Sequence, residues 1–104
     1  MVSPKAKKVK VSGYPVVCQP WVESERGWGQ KPDGYSLHLD QNALDSYLKA
    51  DAASKNGPVP EVYERPEGRP YNVIASDAVY KQLKKAKGSF RSYDDAPQAG
   101  AFLK

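Results

Sequence analysis

The chain has a single cysteine, a single histidine and no long apolar run, and each of these scarcities excludes a class of protein. Its longest apolar stretches, Val16 to Cys18 and Tyr71 to Ala75, are far shorter than the roughly 20 residues that cross a bilayer. One thiol cannot form an intramolecular disulfide, and Cys18 is expected to be a core residue. No apolar segment follows the N-terminal lysines, so we expect no secretory signal and a cytoplasmic location.

Motifs for catalysis, metals and cofactors are also missing. One histidine and one cysteine cannot supply a zinc site, and the carboxylates lack the alternating spacing of a calcium loop. The glycines do not lead into the Gly-Lys-Ser/Thr sequence of a phosphate loop. His38 could act as a base only beside a nucleophile and an orienting acid, which the sequence does not reveal. We therefore expect no catalytic residues, no metal, no cofactor and no enzymatic activity.

The excess of positive charge lies at the N-terminus. The formal net charge is +4, from 16 basic and 12 acidic side chains, and the first ten residues hold four lysines and no acid. The rest of the chain sums to zero. A basic arm can attract a polyanion but cannot read a base sequence, so the charge alone does not predict specific nucleic-acid recognition.

The hydrophobic pattern predicts one small α+β domain. Alternation from Tyr35 to Leu39 indicates a strand, and the apolar residues after Asp40 recur at helical spacing. Ser76 is expected to cap a second helix. We predict a mostly antiparallel sheet of three to five strands with two short helices packed on it, in a domain spanning 14–93 between a flexible arm, 1–13, and a flexible tail, 94–104. The predicted elements are strand 14–22, loop 23–34, strand 35–39, helix 41–50, edge strand 61–63, strand 71–75, helix 77–86 and strand 89–93.

The expected loop 23–34 contains the densest cluster of polar and aromatic residues. Trp28 lies between two glycines and has no apolar neighbours along the chain, so it either folds back onto the core or stands out as an anchor for a partner. The sequence favours neither outcome. Loops on a rigid scaffold often carry binding residues, and we expect a protein partner to contact this region. The expected contact residues are Trp21, Glu23, Glu25, Arg26, Trp28, Lys31 and Tyr35.

Two other hypotheses remain open. The first is nucleic-acid binding by the arm and the second helix, favoured if Tyr80, Phe90 and Tyr93 are exposed beside the lysines. Its contact residues would be Lys5, Lys7, Lys8, Lys10, Lys81, Lys84, Lys85 and Arg91. The second is a small-molecule or nucleotide pocket between two similar strand–helix units. Each unit follows a basic residue, a proline, an acid and a glycine, at 31–34 and 65–68, in an order that is typical of a β-turn.

Three runs between Pro20 and Leu39 carry a resemblance: Pro20-Trp21, Glu25-Arg26-Gly27-Trp28-Gly29 and Pro32-Asp33-Gly34-Tyr35-Ser36-Leu37-His38-Leu39. The segment resembles stretches in short uncharacterised proteins of tailed phages and prophages. This resemblance implies an accessory protein that binds and modulates or inhibits a host protein, in the cytoplasm of the host cell. The identity of that protein and the oligomeric state, a homodimer included, are left open.

Overall fold

The computed structural model of the protein describes residues 13–25, 27–55 and 62–104. None of its helices is both long and apolar enough to cross a membrane within those ranges. The predicted arm residues 1–12 lie outside them. In chain order the elements are β1 (Tyr14–Glu25), β2 (Gly29–His38), α1 (Gln41–Ser54), β3 (Val62–Pro66), β4 (Tyr71–Ala75), α2 (Asp77–Lys85), β5 (Ser89–Ser92) and β6 (Phe102–Leu103).

The six strands form one sheet with β1 at its centre. The strand order is β5-β2-β1-β4-β6. Strands β4 and β3 lie on the same side of β1, where β4 pairs with residues 14–18 and β3 pairs with residues 21–25. All pairs are antiparallel except β4 with β6. The α+β class and the mostly antiparallel sheet are confirmed, and the strand count is larger than predicted.

The two helices cover opposite faces of this sheet. Leu37 belongs to the core that includes Val79 and Leu83 of α2. The next residue, His38, lies against Tyr47 of α1, with ring centroids 5.1 Å apart. Because successive side chains of a strand point to opposite faces, α1 and α2 sandwich the sheet between them.

Both helices begin where the sequence predicted. The Asp40 carboxylate accepts a hydrogen bond from the Ala43 backbone N–H at 2.9 Å, and the Ser76 hydroxyl accepts one from Val79 at 3.2 Å. Such caps satisfy backbone donors that the first helical turn leaves unpaired. Helix α1 continues to Ser54, four residues beyond the predicted end.

The segment 23–34, predicted to be a loop, is instead the distal part of a long β-hairpin. The β1–β2 register continues to the pair Glu25 and Gly29, and Glu23 faces Lys31 with a 3.1 Å ion pair between their side chains. The glycines and the proline suggested a loop. Cross-strand pairing overrides that local tendency because polar partners face each other along the two strands.

Gly34 allows the hairpin to bend. Pro20 pairs with Tyr35 but Val22 pairs with Pro32, so β2 carries one extra residue there. Gly34 has a φ of +81°, and a Cβ at this position would lie 2.0 Å from the Ser92 carbonyl oxygen. Only glycine fits this β-bulge, because the backbone at the end of β5 occupies the space that a side chain would need.

Strand β3 completes a three-stranded extension of the sheet. It pairs with β1 from Trp21 opposite Pro66 to Glu25 opposite Val62. From here on, the arm means residues 21–25, 29–34 and 62–66 together, and not the N-terminal residues 1–13. At its base the buried Gln19 amide donates hydrogen bonds to the carbonyl oxygens of Glu67, at 3.1 Å, and Gly68, at 3.3 Å. These bonds hold the bend between β3 and β4.

The C-terminal segment, predicted to be a flexible tail, returns to the sheet. Gly100 donates to the Asn72 carbonyl oxygen at 2.7 Å, and Ile74 and Ser76 each donate at 2.8 Å to the carbonyl oxygens of Ala101 and Leu103. Leu103 packs on the core beneath α2. The segment pairs with the outer edge of β4, whose backbone groups would otherwise lack partners.

Candidate functional site

Trp28 stands at the tip of the arm and is 84% exposed. The Trp28 backbone N–H donates to the Glu25 carbonyl oxygen at 2.9 Å, which closes the turn. Gly27 and Gly29 take φ values of +83° and +94° that favour glycine. Of the two outcomes that the sequence allowed, the structure shows the outward one. Arg26, the other residue expected to anchor a partner there, lies outside the described residues.

Trp21, which the sequence placed on the docking surface, is 1% exposed and so offers almost no surface to a partner. Its indole lies on the face that α1 covers, edge-on to Tyr47 with ring centroids 6.2 Å apart. Its Nε1–H donates to the Ser36 hydroxyl at 2.8 Å. Alternation along β1 decides this placement, because Trp21 points to the α1 face while Val22 points to the other.

A sealed chain of hydrogen bonds runs from Trp21 through His38 to α1. The Ser36 hydroxyl lies 2.7 Å from Nε2 of His38, and Nδ1 of His38 lies 2.7 Å from the Ser89 hydroxyl. Ser89 in turn donates to the Ala43 carbonyl oxygen at 3.3 Å. One assignment uses every proton once: Trp21 donates to Ser36, Ser36 to Nε2, Nδ1–H to Ser89, and Ser89 to the carbonyl.

This arrangement holds His38 as a neutral imidazole. Burial lowers the pKa of His38 from 6.5 to about 4, and neither His38 nor Ser36 has any exposed surface. A serine hydroxyl beside a histidine is the pairing that hydrolases use, but a substrate would have to reach both groups. In the structure the two side chains tie β1, β2, β5 and α1 together.

Arg91 of β5 is enclosed by the base of the arm. Its guanidinium donates to a Glu64 carboxylate oxygen at 2.6 Å and to the backbone and side chain of Asp33 at 2.7 and 3.0 Å. The ring centroids of Trp21 and Tyr93 lie 4.5 and 4.6 Å from its Cζ atom. Its assignment as a nucleic-acid contact is therefore corrected, because two carboxylates and two aromatic rings already occupy the cation.

The two edges of the arm are closed to a further strand. On the β2 edge, Pro32 has no N–H and Arg91 binds the Asp33 carbonyl oxygen. On the β3 edge, Pro66 has no N–H and the Lys55 ammonium binds the Glu64 carbonyl oxygen at 2.5 Å. Prolines and cations along an edge prevent β-strand pairing between chains. A partner can therefore contact the tip and faces of the arm more readily than its edges.

The remaining residues predicted for docking have different environments. Glu25 and Lys31 are exposed, Glu23 is partly buried and paired with Lys31, and Tyr35 packs against the α2 core. Beside them a trough of about 410 Å³ opens at the base of the arm. It is lined by Pro20, Trp21, Val22, Gln30, Lys31, Pro32, Gly34, Glu67 and Ala96.

The two segments that share a basic residue, a proline, an acid and a glycine flank β1. Pro32 lies opposite Val22, and Pro66 lies opposite Trp21. The β-turn interpretation is wrong for the first segment, which lies within β2. Both segments line the trough, the first through three residues and the second through Glu67.

On α2 the three lysines predicted for nucleic-acid contact, Lys81, Lys84 and Lys85, are exposed. Of the aromatic residues expected beside them, Tyr80 is half-buried and lies under the Lys84 ammonium, with 5.2 Å from Nζ to the ring centroid. Phe90 packs on the core, and Tyr93 lies over Arg91 on the other side of the sheet. Lys5, Lys7, Lys8 and Lys10 are outside the described residues.

The hypothesis of a small-molecule or nucleotide pocket has a second cavity to consider. This cavity has a volume of about 390 Å³ and lies between α2, β2, β5 and the C-terminal residues. Its walls include Leu37, Val79 and Phe90, whereas His38 points to the opposite face of the sheet. The described ranges contain no group of three or more metal-ligating side chains.

Sequence reasoning missed the Arg91 cluster and the His38 chain. The second left a signal, because Ser36 and His38 alternate with Leu37 along one strand.

No protein-family model, curated protein or solved structure matches the chain.

Proposed function

We propose that this is a phage-type accessory protein that acts without catalysis, by binding and modulating a host protein, and that the tip of the arm is its anchor. The observation that carries the proposal is the exposure of Trp28, 84% on a hairpin turn. Tryptophan is among the residues that contribute most to binding energy at protein interfaces, since burying its large ring removes much apolar surface from water.

The bracing of the arm supports this proposal. Arg91 joins β5 to β2 and β3, and Lys55 joins α1 to β3 while its ammonium lies 5.4 Å from the Trp21 ring centroid. A surface held in its bound shape loses less conformational entropy on association than a flexible loop. The cations at the base therefore favour tight binding at the tip.

The composition of the arm surface is also typical of a protein interface. Trp28 and the 46% exposed Val62 provide apolar area near the tip, and Glu25, Gln30 and Lys31 supply polar groups around it. Protein interfaces combine an apolar centre with such a polar rim. The trough beside Pro32 offers a second contact for an apolar side chain of the partner.

Replacing Trp28 with alanine should weaken binding of the host partner by about 30-fold or more, the effect of removing a dominant interface residue. The partner is first captured from bacterial lysate on the immobilised protein and identified. Its dissociation constant is then measured with purified components by isothermal titration calorimetry.

The matched control is Phe102→Ala, which removes a 44% exposed ring from β6, beyond β4 and away from the arm. Binding should be unchanged in this variant. Equal affinity of the Trp28→Ala variant and the unmodified protein would contradict the anchoring role, and the absence of any retained protein would contradict the proposed function itself.

A further inference from the structure

The two helices, which cover opposite faces of the sheet, differ in charge. Residues 77–87, which include α2, hold four lysines and one aspartate. On the opposite face, α1 and its cap carry three aspartates and two lysines over residues 40–55.

An aromatic pair lies beside the lysines of α2. The Tyr14 and Tyr80 rings are 3.9 Å apart with an interplanar angle of 10°, and Tyr14 is 39% exposed. Asp77, in the first turn of α2, forms a hydrogen bond with the Tyr14 hydroxyl, which raises the pKa of Tyr14. Tyr80 is covered on one face by Tyr14 and approached by the Lys84 ammonium, which leaves Tyr14 as the ring that a ligand can reach.

We propose that the face formed by Tyr14, Tyr80 and the α2 lysines binds single-stranded nucleic acid, with the lysines on phosphates and a base stacked on Tyr14. Proteins hold single strands by combining a positively charged path with an aromatic platform. The exposed lysines at 81, 84 and 85 lie within little more than one helical turn, next to the Tyr80 ring. This surface is separate from the tip of the arm and does not depend on the proposed host partner.

The composition of α2 argues against an anionic membrane as the ligand. Its bulky apolar residues, Val79 and Leu83, are buried against the sheet. An interfacial helix inserts such residues into the lipid. The outward side of α2 instead carries Ala78, Gln82 and lysines, so it offers charge without a surface for insertion.

The first test is the salt dependence of binding to a fluorescein-labelled oligothymidylate, followed by anisotropy with the full chain between about 50 and 200 mM KCl. Replacing Lys81 and Lys85 with glutamine should reduce the slope of log K against log salt by about 1.4, since each lost phosphate contact contributes about 0.7. The affinity at the lowest salt should fall on the order of tenfold. The matched control, Lys49→Gln with Arg69→Gln, removes the same charge from exposed positions outside α2 and should change neither value.

The second test concerns stacking. Tyr14→Leu should weaken binding by about fivefold or more without changing the salt slope, and Tyr14→Phe should bind as the unmodified protein does. Failure of the oligothymidylate to bind at the lowest salt overturns the proposal, as does equal loss in the lysine control. The proposal is also overturned if a duplex binds with equal affinity and Tyr14→Leu has no effect. Binding only to vesicles that contain phosphatidylserine overturns it as well. Trp28→Ala should bind the oligonucleotide normally, so this result is independent of the arm.

Discussion

Between pH 6.5 and pH 4 the protein should lose about 3 kcal/mol of its free energy of unfolding through His38 alone. Burial lowers the pKa of this imidazole in the folded state to about 4, below its ordinary value of 6.5. The fold therefore holds the neutral form. The stabilisation is complete above pH 6.5, and it disappears as the pH falls through the folded-state value, because the unfolded chain takes up the proton first.

The hydrogen-bond chain explains why the folded protein resists protonation. A proton on Nε2 of His38 would face the Ser36 hydroxyl, which already accepts from Trp21 and would then have no acceptor for its own proton. Leaving such a buried group without a partner is unfavourable.

The measurement is urea denaturation at a series of pH values for the unmodified protein and for His38→Gln, which keeps a donor and an acceptor but does not titrate. The unmodified protein should show the steeper loss, by about 1.4 kcal/mol per pH unit. Parallel curves would contradict this prediction. A second readout needs no variant: the ring carbon chemical shifts of His38 should show the neutral form at pH 5 in the folded protein.

Arg91→Met should lower the free energy of unfolding by about 3 kcal/mol. The substitution keeps an unbranched, apolar side chain but leaves Asp33 and Glu64 without their cation, and it removes the guanidinium between the Trp21 and Tyr93 rings. Breaking a partly buried ion cluster by removing one partner is costly because the remaining charges stay partly desolvated. Urea denaturation at neutral pH measures the change.

Two further variants separate this cause from a general effect of lost charge. Arg69→Met, at an exposed position between β3 and β4, should change the free energy of unfolding by no more than about 0.5 kcal/mol. Adding Glu64→Gln to Arg91→Met should restore part of the loss, since it removes one stranded charge. An Arg91→Met protein as stable as the unmodified one would show that the cluster does not hold the arm.

Local sequence signals predicted the elements that depend on local physics. Asp40 and Ser76 begin the two helices because a cap requires only a few neighbouring residues, and the alternation from Tyr35 predicted the proximal half of β2. The distal hairpin was not predicted because Gly29, Pro32 and Gly34 indicate a loop when they are considered without their partners. Pairing with β1 on one side and a bulge at Gly34 accommodate all three residues.

The Arg91 cluster could not be predicted at all from local patterns. It requires β5 beside β2 and β3 beside β1, so that residues 33, 64 and 91 converge from three strands. The same holds for Trp21, whose burial depends on α1 packing across the sheet. Trp28 was identified as a candidate anchor because two flanking glycines exclude local apolar contacts, and its outward position followed from the structure.

Acrylamide quenching of tryptophan fluorescence tests most directly whether the arm presents one indole outward and seals the other. The protein has two tryptophans, Trp28 at 84% and Trp21 at 1% exposure. The unmodified protein should show a red-shifted, readily quenched component, and Trp28→Phe should lose it, leaving the blue-shifted and quench-resistant emission of Trp21. If Trp28→Phe instead removes a blue-shifted component that acrylamide does not reach, the ring at the tip is buried and the proposed anchor does not exist.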